Sequence, residues 1–263
     1  MQTKHISDWY FILNRARRGS GGRAARREAR TTQQIEFSKY IERKIPNFEI
    51  LNEEALEVIE NSAEEVLSEI GVKFPDNEFA LKLWKEAGAD IKGDLVKIPK
   101  GLARKLCSTA PATFTQHARS KIKNVEIGGK NLVCAPVYGP PFIRDLEGGR
   151  RYAEIADFEK LVKLAYMSKW VHHSGGTLCE PTDIPVNKRH LDMLFAHMTL
   201  SDKPYMGSVT APERAEDSVE MSEIIFGKKF VSENTVMTSL INLNSPLVLD
   251  ATMMGALEVY ARA

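Results

Sequence analysis

The chain has 263 residues, 43% of them hydrophobic and 27% charged, which supplies enough apolar material for a core and excludes a largely disordered polypeptide. Its 36 basic and 35 acidic side chains leave a net charge of +1, which speaks against a general nucleic-acid binder or a membrane-surface protein. The cysteines Cys107, Cys134 and Cys179 stand far apart without CxxC spacing, so neither a disulfide framework nor a cysteine zinc site is suggested. No stretch approaches the roughly 20 apolar residues of a membrane span. The short apolar run at residues 9–13 lacks a signal peptide's long apolar region and cleavage site, so a reducing cytoplasm is the expected location.

In chain order, residues 14–30 form a basic arm with glycines in its middle and little to bury, read as part of a partly flexible segment over residues 1–50. It is either a solvated tail or a docking element for an acidic or oligomeric partner. Asn52 is a candidate N-cap ahead of Glu53 and Glu54, and Leu56, Ile59, Ala63, Val66 and Ile70 mark one face of a helix that Gly71 ends. A second helix is expected from about Asn77 to Ala87, capped by Asp76 and closed by Gly88. A hairpin turning at 92–94 follows, then a third helix opened by Pro99. Residues 113–117 and 124–127 are short strand candidates, which makes 51–130 a small α+β subdomain.

From residue 131 the pattern changes. Strand-like runs at about 132–138, 171–178, 204–210 and 236–243 alternate with helical runs at about 154–168, 187–200, 212–226 and 250–263, the signature of a parallel sheet covered by helices. No GxGxxG follows the first strand, which weakens the nucleotide-binding form of a doubly wound sheet. One face of the later strands turns polar toward its C-terminal end, as a barrel mouth does. The fold class expected is α/β: a partial (β/α)8 TIM barrel of about four βα units over residues 131–263. Half a barrel leaves strand edges and an apolar face uncovered, so the sequence reads as a truncated N-terminal portion that is unstable or associates when alone.

Several stretches carry a family resemblance: 21–27, Glu69-Ile-Gly-Val-Lys-Phe-Pro-Asp76, 87–99, Gly139-Pro-Pro-Phe-Ile-Arg-Asp-Leu-Glu-Gly-Gly149, Pro181-Thr-Asp-Ile-Pro185 and Asn242-Leu-Asn-Ser-Pro-Leu247 followed by Asp250. In order and spacing they resemble the trimethylamine methyltransferase family of corrinoid-dependent enzymes. The resemblance implies a barrel that moves a methyl group from trimethylamine, or from a quaternary amine such as glycine betaine, to the cobalamin of a partner corrinoid protein. It implies no cofactor bound by this chain alone, a small methylated amine as substrate, and a homo-oligomer at full length. The family's pyrrolysine belongs to a second half not contained here, so catalytic residues are not assigned. A rival reading is a non-catalytic fragment that docks a corrinoid protein or an oligomer partner.

Methyl transfer to reduced cobalt is a substitution at carbon that needs in-line approach, a good leaving group and a dry site. A quaternary ammonium leaves as a neutral amine, whereas trimethylamine needs prior activation, so a relative without pyrrolysine should prefer quaternary amines. The candidates at strand C-terminal ends are Tyr138 and Gly139, then Thr177, Glu180, Thr182 and Asp183, then Ser208 and Thr210, then Asn242, Asn244 and Ser245. Tyr138 can hold a methylammonium against its ring, with Glu180 as counter-charge; its plainer reading is packing. Asn242 and Asn244 share strand parity and can orient a carboxylate or a corrinoid amide, or bond the loop before Pro246. Asp183 reads as a cap or turn for the helix that follows it, and Arg144 and Asp145 as turn residues. His172, His173, Cys179 and Glu180 suggest zinc, but an extended 171–178 sets His173 roughly 20 Å from Cys179 at about 3.3 Å per residue, so no metal site is expected. Gly175-Gly176 reads as close backbone approach rather than a phosphate cradle.

Overall fold

The structure, a computed structural model, describes residues 37–242, 244 and 246–263. The basic arm and Ser245 lie outside the described residues. Phe37–Ala263 cluster as one unit.

The first lobe follows its local signals closely. Helix α1 (Glu53–Glu65) starts where the Asn52 side chain accepts a hydrogen bond from Ala55 N at 2.9 Å, and it widens into a π-helical turn, Val66–Ile70, before Gly71. Its apolar face is not covered: Leu56, Ile59 and Ile70 are all about half exposed or more. Strand β2 (Val72–Lys73) leads to α2 (Glu78–Ala87), whose cap is Asn77, accepting from Ala80 N at 2.7 Å. The expected cap, Asp76, takes a positive φ of 53° instead and forms the turn before it. Strands β3 (Asp90–Lys92) and β4 (Leu95–Lys97) make the expected hairpin, and β4 pairs antiparallel with β2. Val72, Phe74, Ala80, Val96 and Ile98 bury a small core there, packed against Leu247, Leu249 and Met254 from the far end of the chain.

After the short helix α3 (Leu102–Cys107), a second antiparallel sheet runs in the order β1 (Ile41–Glu42), β7 (Asn131–Leu132), β6 (Val125–Gly128), β5 (Thr113–Gln116). The expected strand at 132–138 is therefore corrected at its start, where Asn131–Leu132 pairs antiparallel with β1 and β6. Residues 142–152 are corrected too. Arg144 and Asp145 belong to strand β8 (Phe142–Asp145), paired with β9 (Gly149–Tyr152), and the turn is confined to 146–148 with the Asp145 carboxylate accepting from Glu147 N at 3.0 Å.

The second lobe alternates as its periodicity predicts. Helices α4 (Ile155–Met167), α5 (Arg189–Leu200), α6 (Pro212–Phe226) and α8 (Ala251–Arg262) fall within two residues of the expected runs, and a short α7 (Lys228–Glu233) is added after α6. Among the described residues, regular parallel pairing is confined to β10 (Tyr205–Met206) and β11 (Met237–Thr238). The run at 171–178 is not a regular strand, yet its backbone hydrogen bonds lie where a parallel neighbour's would. His172 N donates to Cys134 O at 2.8 Å and Gly139 N to Thr177 O at 2.8 Å. Ser174 N donates to Pro204 O at 2.7 Å, Met206 N to Gly175 O at 2.9 Å, and Gly207 N to Thr238 O at 2.9 Å. Four segments therefore run side by side in chain order.

Helices α4 and α5 cover this layer through Phe158, Val162, Leu178, Cys179 and Ala196; Leu194, Met198 and Tyr205 join it to α6. The N-terminal ends of the segments are closed from below. The Gln116 amide at the end of β5 donates to Tyr205 O at 3.0 Å and Val236 O at 3.4 Å, and His117 N donates to Thr235 O at 2.7 Å. Among the described residues no helix is long and apolar enough to cross a membrane.

Candidate functional site

Because the first lobe covers one end of the parallel segments, the opposite, C-terminal ends are left open. A cavity of about 80 Å3 sits there, lined by residues of three segments and of α5, among them Tyr138, Thr177, His190, Met206, Ser208 and Thr210.

Tyr138 is 43% exposed, and its hydroxyl lies 3.5 Å from Met206 Sδ. The ring lies against Gly176: a Cβ there would stand 2.8 Å from the Tyr138 hydroxyl, which accounts for the second glycine of the pair, while Gly175 takes a φ of 92°. Burial, then proximity to Tyr260, raises the Tyr138 phenol above its ordinary value, and burial raises Tyr260 as well. Both rings are therefore neutral near pH 7. Tyr260, on α8, donates to Ser208 O and so ties the end of the third segment to the last helix.

The floor of the cavity is a hydrogen-bonded polar frame. His197 is buried, and burial pushes it down to about 4, so it is neutral. Its Nε2 lies 2.7 Å from Gly176 O, a group that can only accept, so Nε2 carries the proton and Nδ1 accepts from the Ser174 hydroxyl at 2.7 Å. His173 is likewise pushed down by burial to about 3; Gly175 N donates to its Nδ1 at 2.9 Å and its Nε2 meets Gln116 Oε1 at 3.2 Å. His172 faces elsewhere, accepting from Cys134 N at 2.8 Å. These three histidines thus hold backbone and amide groups, and Cys179 is a core residue whose thiol burial raises to about 11. Among the described residues no group of three or more His, Cys, Asp or Glu side chains gathers as a metal site requires.

The remaining sequence candidates divide. Thr177, Ser208 and Thr210 join Tyr138 at the cavity. Gly139 stands beside it, its Cα so close to the second segment that a Cβ would fall 1.7 Å from Leu178 O. Glu180 is turned toward Arg189, 3.5 Å away. Thr182 bonds back to Ala153 O, at 2.8 Å from its backbone nitrogen and 3.2 Å from its hydroxyl. Asp183 caps a helix, but not the one that follows it: its carboxylate accepts from Ile155 N at 2.9 Å, at the start of α4. Asn244 donates to the Asp250 carboxylate at 2.7 Å, and Asp250 in turn caps α8 through Met253 N at 3.0 Å; Asn242 is exposed.

Three polar side chains beside the cavity went unnoticed in the sequence: His190 in its lining, and Asp217 and Arg214, each bonded to a residue of that lining. His190 bonds Asp217 Oδ2 through Nε2 at 2.7 Å, and Arg214 donates to Thr210 Oγ1 at 2.8 Å. All lie on helical faces in α5 and α6 where solvated side chains are expected; only the segment ends place them at the opening. For His190 and Arg214 the signal available in advance was their position in the first turns of helices that follow strand-like runs.

The trimethylamine methyltransferase (MTTB) family matches residues 18–263. A glycine betaine methyltransferase from Desulfitobacterium hafniense (strain Y51) is 44% identical over 220 residues, 83% of this chain and 46% of that protein. A proline betaine:corrinoid methyltransferase from Eubacterium limosum is 30% identical over 179 residues, 66% of this chain and 34% of its own length. The chain spans less than half the length of either relative. By the family match over nearly its whole length, this chain belongs to the trimethylamine methyltransferase family.

Proposed function

We propose that the chain supplies the first half of a (β/α)8 barrel whose mouth binds a betaine and presents one of its N-methyl groups to a corrinoid protein. In this reading residues 51–130 are a subdomain that plugs the N-terminal ends of the strands, and 131–263 carry four of the eight βα units. The observation that carries it is the gathering of Tyr138, Met206, Thr177, Ser208 and Thr210 around one opening at the C-terminal ends of segments that run parallel in chain order. Barrel enzymes place their chemistry at that end. The named activities of the two relatives supply the substrate class.

The chemistry fits the residues. A reduced cobalt, carried by the partner, supplies the nucleophile. A quaternary ammonium departs as a neutral amine, so no acid is needed at the nitrogen, and the neutral histidines of the floor are suited to holding shape rather than moving protons. The Tyr138 ring offers a π face to a methylated cation, worth about 0.5–2 kcal/mol depending on how dry the contact is. Met206 beside it adds a polarisable, apolar wall. Gly139 and Gly176 let the backbone and the ring close up against each other.

The test is to incubate the full-length protein with a reduced corrinoid protein and a panel of methylated amines while following the cobalt absorbance. Conversion with glycine betaine or proline betaine and none with trimethylamine is expected. Turnover of trimethylamine alone would reject the quaternary reading, and no turnover with any amine would reject the function.

A further inference from the structure

A betaine carries a carboxylate as well as a quaternary nitrogen, and the neutral tyrosine and methionine wall has no positive charge to set against an anion. The other side of the opening has one. Arg214, in the first turn of α6, makes one interaction, its Nη1 donating to Thr210 Oγ1 at 2.8 Å, and no carboxylate among the described residues pairs with it. Since Thr210 Oγ1 accepts that bond, its own proton is free to donate, and Ser208 Oγ lies 3.4 Å away. Behind them His190 is 9% exposed, with Nε2 on Asp217 and Nδ1 buried without a partner among the described residues. A buried nitrogen without a partner in the wall of a cavity is a place where a water or a polar ligand would be satisfied.

We infer that Arg214 and Thr210 form the anion-recognising end of this site and select a quaternary amine that bears a carboxylate. The inference rests on the betaine reading above and assigns the residues that make it specific. Arg214 reaches the cavity through its bond to the lining residue Thr210, and a guanidinium beside a hydroxyl suits a carboxylate, to which a guanidinium can give two parallel bonds. The same unpaired cation repels a substrate that is only a cation, so it discriminates in both directions. Tyr138 and Thr210 line the same cavity, so the two ends of a small zwitterion meet their partners at one opening.

The experiment is calorimetric titration of the full-length protein with glycine betaine and, separately, with tetramethylammonium, for wild type, Arg214→Gln, Arg214→Lys and Thr210→Val. Melting curves establish that each variant is folded. Arg214→Gln should weaken betaine roughly 10- to 100-fold, the range of a lost hydrogen bond to a charged group, while tetramethylammonium binding holds or tightens. Arg214→Lys should recover part of the betaine affinity, and Thr210→Val should show a smaller loss confined to betaine. Equal losses for both ligands, or an unchanged betaine affinity in Arg214→Gln, overturn the assignment. The second outcome with betaine turnover intact leaves the betaine reading standing and removes Arg214 alone; a wild type that binds neither ligand removes both.

Discussion

The Ser174 hydroxyl and His197 Nδ1 are 2.7 Å apart in the floor beneath the cavity, and the bond runs from serine to histidine because the other ring nitrogen must donate to Gly176 O. The second segment, through the Ser174 hydroxyl and the Gly176 carbonyl, is tied to α5 by one neutral imidazole. Ser174→Ala leaves Nδ1 buried and unsatisfied, a cost of about 1–3 kcal/mol. A fall of roughly 3–10 °C in melting temperature is expected, read by calorimetry.

Stability should fall on mild acidification. His197 and His173 are held down to about 4 and about 3 in the folded chain, against 6.5 for the free group. Between those values the unfolded chain binds protons that the folded chain refuses, so their contribution is complete above 6.5 and is lost as pH falls toward 4. Each histidine adds a slope of about 1.4 kcal/mol per pH unit well below 6.5. Urea unfolding at pH 7, 6 and 5 measures it; a flat profile would contradict the neutral, buried assignment.

Lys203 is 2% exposed and gives its three Nζ protons to Ala165 O, Ser168 O and Val171 O at 2.8, 2.9 and 2.6 Å, closing the C-terminal end of α4. Lys203→Met strands those carbonyls and should cost about 2–5 kcal/mol. Burial, and then Lys123, lower Lys203 to about 8 from 10.5. Between pH 8 and 10.5 the unfolded chain therefore keeps a proton that the folded chain has released, and the wild type gains stability over Lys203→Met as pH rises through that window. Paired denaturation curves at pH 8 and 10 test the sign.

Gly139→Ala is expected to be far more damaging than an ordinary surface change. Its Cβ would stand 1.7 Å from Leu178 O, a backbone atom with no freedom to swing aside, so the first and second segments must part. Loss of several kcal/mol, on the order of 3 or more, or loss of soluble protein should follow. A variant melting like wild type would show that the segments are not so close.

Tyr138→Phe keeps the ring and loses only the contact of the hydroxyl with Met206 Sδ, so betaine binding should be nearly unchanged. Tyr138→Ala removes the π face and should weaken binding about 2- to 30-fold. Titration with glycine betaine separates the two; equal loss in both variants would place the effect on the hydroxyl rather than the ring.

Most helix positions were legible in the sequence because they depend on neighbours three and four residues away and on caps such as Asn52, Gly71 and Gly88, although Asn77 rather than Asp76 caps α2, α3 begins at Leu102 rather than at Pro99, and α7 was not expected. The alternation of strand-like and helical runs after residue 131 was legible for the same reason, as was the kinship itself. What tertiary structure alone decided is where each polar side chain finds its partner. Asp183 caps α4, 28 residues earlier in the chain, rather than the helix beside it; Asn244 turns to Asp250; and Gln116 reaches under β10 and β11. Arg214 and His190 look like solvated helix residues until the third segment brings Ser208 and Thr210 against them. Local propensity constrains a residue's backbone through its immediate neighbours, whereas a hydrogen bond between distant segments depends on how helices and strands pack, and no window of sequence contains that packing.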